Sequence, residues 1–343
     1  MKRTRQFLLF LLPFLLGASI VVGQKYPLSE NVWDNPEFVE RFMGSYGVDT
    51  KTEPQVSQTE SELMQQLVEV IKTDIDMAIE QLRAAITPES SPALHYVLGN
   101  LYLESQRFGQ AEAAYRTAIK EFPQFLRAYK NLGLSLIQQE ELEEAIPFLV
   151  KAIELGDGSG NTYGLLGYCY LNQGNMQSAL EAYRTATLLS PENNDWKLGK
   201  AQTLMELQLY REAIGLLREL IKESPGKSTL WVILANAHLE SGEPEKAAQF
   251  LEVLRRMDKA DVPSLVLLGD IYMNEGLPAL ALNGYIAALE KTGKPEASLV
   301  LRIARTLASR GAFAEAREYT EALRDRLEAT ETEIEEKDLL TVE

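Results

Sequence analysis

Residues 92–123 read PALHYVLGNLYLESQRFGQAEAAYRTAIKEFP, and related versions of this stretch recur along the chain. Its central alanine is the first of seven that are separated by 34 residues five times and by 35 residues once. Apolar residues within each half of the repeat follow the i, i+3, i+4, i+7 spacing of an amphipathic helix. Self-similarity at this period predicts a stacked array of helical hairpins. The seven alanines are Ala111, Ala145, Ala179, Ala213, Ala247, Ala281 and Ala316.

Small residues mark the expected crossing of the two helices of each hairpin, helix A and helix B. One lies twelve positions before each repeat alanine. Because these residues lack bulk, the two backbones can approach closely, and larger neighbours fill the remaining space. Glycine midway through four repeats predicts the C-terminal cap of helix A, at Gly174, Gly242, Gly276 and Gly311. The small residues of helix A are Gly99, Gly133, Gly167, Ala201, Ala235, Gly269 and Ala304.

The pattern resembles the tetratricopeptide repeat (TPR), a 34-residue helix–turn–helix unit, over residues 92 to about 325. In the first repeat the matching residues are, in order, Leu98, Gly99, Tyr102, Ala111, Tyr115, Ala118 and Pro123. The resemblance implies an all-α, right-handed α-solenoid of about seven full repeats preceded by a degenerate hairpin. The expected array, 92–326, divides into 92–125, 126–159, 160–193, 194–227, 228–261, 262–296 and 297–326.

The first 23 residues differ from the rest of the chain. Lys2, Arg3 and Arg5 precede an apolar run from Phe7 to Gly23, which predicts a secretory signal peptide at 1–23. We therefore expect an exported, bacterial-type protein that is periplasmic or secreted. The alternative is an uncleaved anchor in the inner membrane, for which this run is at the short limit.

Three further segments lie outside the array. Residues 24–60 form an N-terminal extension, with a short aromatic helix from Pro36 to about Met43 and a polar linker from Asp49 to Glu60. The aromatic arm is expected to pack either on the chain's own first hairpin or on a partner. Residues 61–91 are interpreted as a degenerate capping hairpin, since terminal repeats are atypical. Residues 327–343 form an acidic tail, which favours solvation.

Composition argues against several classes of function. The net charge is −16, which lacks the basic footprint that nucleic acid requires. Cys169 is the only cysteine and is interpreted as a small core residue. No cysteine–histidine spacing suggests zinc. Gly156 to Gly160 reads GDGSG, but no Lys-Ser/Thr follows it, so a phosphate loop is not expected. The sequence thus predicts no metal, no cofactor and no enzymatic activity.

The family resemblance implies a protein-interaction scaffold or adaptor that binds a peptide or helix of a partner in a concave groove lined by helix A. The partner is expected to be a protein within an envelope complex, and the alternative is a structural protein that self-associates into homo-oligomers. Two asparagines match positions of the family's clamp for chaperone C-termini, but Tyr96, Asn161 and Leu165 occupy its basic positions, so that ligand is not expected. Some of the groove leucines could instead pack between neighbouring A helices. The candidate contact residues are Tyr96, Asn100, Lys130, Asn131, Leu134, Tyr168, Asn172, Gln202, Met205, Asn236, Asp270 and Arg305.

Overall fold

The structure is a computed structural model that describes residues 51–292 and 297–329, with side chains for 51–292 and 299–324. The predicted signal peptide, the aromatic arm up to residue 50 and residues 330–343 of the acidic tail lie outside the described residues. The described residues form sixteen α-helices and no strand. The helices are α1 Gln58–Ile71, α2 Ile75–Ala85, α3 Pro92–Glu104, α4 Phe108–Glu121, α5 Leu126–Gln138, α6 Leu142–Glu154, α7 Gly160–Asn172, α8 Met176–Leu189, α9 Asn194–Glu206, α10 Tyr210–Glu223, α11 Ser228–Glu240, α12 Pro244–Arg256, α13 Val262–Asn274, α14 Pro278–Lys291, α15 Ala297–Ser309 and α16 Phe313–Ala329.

Consecutive helices pack as pairs, which confirms the predicted all-α hairpin architecture. From α3 onward the odd-numbered helices are the A helices, and the even-numbered helices are the B helices. Each A helix contacts the B helix that follows it, and most B helices also contact the next A helix. The chain divides between Ser190 and Pro191 into two compact units, α1–α8 and α9–α16, which are described separately below.

In four of the hairpins, the two helices cross where a glycine lies opposite a bulky side chain. A Cβ built on Gly99 would lie 2.5 Å from Cε1 of Tyr115, and one on Gly133 would lie 2.6 Å from Cδ2 of Leu149. Separations below about 3 Å cannot be accommodated without movement of a neighbour, and interiors are too densely packed to allow it freely. These two crossings therefore require glycine, because the side chain sixteen positions later in the sequence occupies the space that a Cβ would need.

The turn between helix A and helix B has one geometry in all seven repeats. The residue five positions before each repeat alanine has a positive φ, between 58° and 79°. Four of the seven are the glycines predicted as caps, and their left-handed backbone confirms that prediction. The other three are Gln106, Glu140 and Gln208, which adopt the same conformation without the freedom of glycine.

The N-terminal hairpin, α1 and α2, begins inside the segment that the sequence predicted as a linker. Helix α1 begins at Gln58 because Ser57 and Glu60 form a capping box, in which each side chain bonds to the other's backbone amide. Burial alone would raise the pKa of Glu60, but the amides of Ser91 and Ser57 and the Ser57 hydroxyl hold it below its ordinary value. No helix in the described ranges is both long and apolar enough to cross a membrane.

Candidate protein-interaction face

The candidate contact residues lie on the A helices, but they differ in exposure. Tyr96 is buried, whereas Asn172 and Arg305 are exposed. The other nine are intermediate, so their side chains are partly accessible. They are Asn100, Lys130, Asn131, Leu134, Tyr168, Gln202, Met205, Asn236 and Asp270.

In the first compact unit, a hydrogen-bond network brings three of these residues together. The hydroxyl of Tyr115 donates to Oδ1 of Asn100 at 2.8 Å, and Nδ2 of Asn131 donates to the same oxygen at 2.8 Å. The Asn131 amide also donates to the hydroxyl of Tyr96 at 3.1 Å. The two asparagines predicted to meet a ligand therefore link helices α3 and α5.

An ion pair that the sequence analysis missed lies beside this network. The guanidinium of Arg127 donates to both oxygens of Glu53, at 2.7 and 2.6 Å. The Arg127 Cζ lies 5.1 Å from the centre of the Tyr96 ring, within cation–π range. Glu53 is only 8% exposed, although it belongs to the predicted polar linker. A chain segment before α1 thus occupies the N-terminal end of the A-helix face.

Lys130 is directed toward the GDGSG turn that precedes α7. Its ammonium donates to Oγ of Ser159 at 3.1 Å and lies 3.6 Å from Oδ2 of Asp157. Burial would raise the pKa of Asp157, but hydrogen bonds from Thr162 and Ser159 and the Lys130 charge lower it overall. The acidic turn therefore links the start of α7 to α5 through Lys130, and this gives the motif a structural role.

The second compact unit repeats the tyrosine contact. The hydroxyl of Tyr285 donates to Oδ1 of Asp270 at 2.7 Å, just as Tyr115 donates to Asn100. Arg302 on α15 donates to the other Asp270 oxygen at 3.1 Å. Asp270 therefore links α13, α14 and α15, and its carboxylate is largely committed to the fold.

Two other candidate residues, both with amide side chains, do not link helices through hydrogen bonds. Gln202 on α9 and Asn236 on α11 make no side-chain hydrogen bond to another residue within the described ranges. They are 34 positions apart, so they occupy equivalent places on successive A helices of the second unit. Met205, one turn from Gln202, packs against the core of the same unit. The structure therefore separates candidate residues that support the fold from those that remain accessible.

A pocket of about 250 Å³ lies in the second unit, between α12, α13 and α14. Arg255 and Arg256 line it, but both bond to the carboxylate of Glu252, which neutralises much of their charge. No sequence motif indicates this pocket, because its residues come from three different helices. Its lining is Glu252, Arg255, Arg256, Leu268, Tyr272, Leu280, Asn283 and Gly284.

Groups suited to chemistry lie in structural positions. Burial raises the pKa of the Cys169 thiol to about 12, so it stays protonated at neutral pH. His238 is buried, stacks on Phe250 at 5.3 Å and pairs with Glu243 at 2.7 Å. In the part of the chain that the structure covers, no three His, Cys, Asp or Glu residues cluster as metal ligands would.

Comparison with known proteins agrees with this architecture. Family models described as tetratricopeptide repeat match residues 96–160 and 204–268, and the model for anaphase-promoting complex, cyclosome, subunit 3 matches residues 138–220. The chain is a tetratricopeptide repeat protein. A crystal structure of a TPR protein from Parabacteroides merdae superposes with a TM-score of 0.50 at 19% identity, covering 73% of this chain and 100% of that one. At this identity the match shows the fold alone.

Curated relatives share the repeat region. TPR repeat-containing protein YpiA of Bacillus subtilis is 22% identical over 54% of this chain and 44% of its own length. Putative cytochrome c-type biogenesis protein CcmH of Haemophilus influenzae is 26% identical over 44% of this chain and 34% of its own. The chain thus spans less than half the length of these relatives, and the similarity concerns the repeats.

Proposed function

We propose that this TPR protein is a non-enzymatic scaffold or adaptor that binds a peptide or helix of a partner protein on the A-helix face. The supporting observation is the pair Gln202 and Asn236, which are partly exposed on successive A helices and are not engaged by the fold. An amide in such a position can hydrogen-bond the backbone of an extended peptide, which is a recurrent mode of peptide recognition. A cell-envelope location is proposed from the N-terminal sequence alone.

A paired substitution on this face tests the proposal. We expect Gln202→Ala combined with Asn236→Ala to lose the partner that the tagged wild-type chain retains from its native host. Both side chains are partly exposed, so helicity measured by circular dichroism should remain unchanged.

The matched control changes two exposed B-helix residues, Glu219→Ala with Glu245→Ala, and should retain the partner. Loss of the partner in the control, with retention in the A-face variant, would contradict binding on the A helices. The same eluates, analysed by light scattering, would reveal a second copy of the chain as the partner and thereby favour the self-association alternative.

A further inference from the structure

The residues just before α1 lie across the amino-terminal ends of α3 and α5. Residues 52–56, which we name the N-terminal strap, have no helix or strand of their own. The carbonyl of Thr52 accepts from the amide of Leu126, the first residue of α5, at 3.3 Å. The carbonyl of Gln55 accepts from the hydroxyl of Ser91, the N-cap of α3, at 2.6 Å. The strap therefore accepts hydrogen bonds at two helix starts, one from the Leu126 amide, which has no partner within α5, and one from the Ser91 hydroxyl.

The receiving surface is organised by residues outside the strap. Arg127 is held against the ring of Tyr96, and that ring lies 5.0 Å from the ring of Phe125. The Tyr96 hydroxyl is fixed in turn by the amide of Asn131. A planar guanidinium positioned in this way is suited to bind a carboxylate through two parallel hydrogen bonds.

The strap supplies only a few sequence-specific groups. Glu53 provides the carboxylate, and Pro54 is the other buried residue of the segment. A proline disfavours the helical conformation for the residue before it, so the backbone of Glu53 is biased toward extended conformations. The two backbone carbonyls exist in any peptide. Apart from the two backbone carbonyls, the strap therefore contributes a carboxylate followed by a buried proline.

The exposure of the strap residues also bears on how readily the strap can leave its site. Lys51, Gln55 and Ser57 are exposed, so the buried part of the segment is confined to two adjacent residues. Residues 52–56 have no regular backbone hydrogen bonding, and segments of this kind open more readily than packed helices. The residues that hold Arg127 in place, Tyr96 on α3 and Asn131 on α5, do not belong to the strap.

We propose that the amino-terminal ends of α3 and α5 form a docking site for an extended protein segment carrying Glu-Pro, and that the strap fills this site in cis. A partner segment of the same chemistry then binds by displacing the strap, so the strap limits access to this end of the A-helix face. This inference rests on the proposed function in one respect, because the ligand that displaces the strap is taken to be a protein segment. Its test uses no native partner, so the two proposals can fail separately.

The test titrates the full chain against a fluorescein-labelled peptide of residues 51–57, with anisotropy as the readout. We expect Glu53→Ala to bind the peptide about tenfold more tightly than wild type, because the tethered wild-type strap competes at a high effective concentration. Adding Arg127→Ala to Glu53→Ala should abolish binding. Adding Arg184→Ala, which removes an exposed arginine of the same compact unit, should not.

Three results would overturn the proposal. The first is equal peptide affinity of wild type and Glu53→Ala. The second is undiminished affinity when Arg127→Ala is added. The third is loss of helicity in Glu53→Ala, because the strap would then be an indispensable part of the fold. If the strap opens as proposed, trypsin should also cleave after Lys51 faster in Glu53→Ala than in wild type.

Discussion

Replacing Gly269 with alanine is expected to destabilise the second compact unit by about 1–3 kcal/mol, the usual cost of overpacking a tight interior. Gly269 lies where α13 crosses α14, and an added Cβ would lie 2.6 Å from Cδ1 and 2.9 Å from Cζ of Tyr285. The ring cannot move aside freely, because Tyr285 is fully buried and its hydroxyl donates to Asp270. Urea unfolding followed by circular dichroism measures the loss.

Gly215→Ala provides the control within the same compact unit. Gly215 lies inside α10, and an added Cβ would meet no atom within 4 Å. Alanine is the better helix former, so this change should stabilise the unit by about 0.5–1 kcal/mol. Opposite signs for the two substitutions would support the crossing geometry. A Gly269→Ala chain as stable as the Gly215→Ala chain would show that glycine is not required there.

Replacing Asn100 with alanine is expected to cost about 1–3 kcal/mol, the penalty for leaving a buried polar group without a partner. The Asn100 carbonyl accepts from the hydroxyl of Tyr115, which is fully buried, and from the amide of Asn131. Adding Tyr115→Phe removes the unpaired hydroxyl and should recover part of the loss. The four unfolding free energies of this double-mutant cycle give the coupling directly.

Asn236→Ala is the matched comparison, since Asn236 is an amide at the equivalent position of another A helix. It makes no side-chain hydrogen bond to another described residue, and the change should alter stability by less than about 0.5 kcal/mol. Equal destabilisation by Asn100→Ala and Asn236→Ala would mean that the division between structural and accessible amides is wrong.

The repeat pattern was sufficient to predict the fold, because the spacing of small and bulky residues follows from how the two helices of each hairpin pack. A glycine such as Gly99 can be tolerated in helix A only if a bulky residue such as Tyr115 fills its place. The turn was only partly predicted, because glycine marks it in four repeats while Gln106, Glu140 and Gln208 adopt the same left-handed conformation. Their position in the repeat was the available signal, since each lies five residues before a repeat alanine.

The candidate site was harder to predict, because specific contacts between helices decide which polar residues remain accessible. The repeat pattern places Asn100 and Asn236 at equivalent positions, but only Asn100 has a tyrosine fifteen residues later that donates to it. The Glu53–Arg127 pair joins residues 74 positions apart, and no local pattern in the sequence indicates it.

Photo-crosslinking from single positions tests most directly whether the A helices carry the partner. A photoreactive amino acid placed at Gln202 or Asn236 samples the A face of the second compact unit, and the same group at Glu219 or Glu245 samples exposed B-helix positions of that unit. We expect the native partner to crosslink from Gln202 and Asn236, with little or no product from the two B-helix positions. Crosslinking from Glu219 and Glu245, with none from the A face, would contradict the proposed mode of binding.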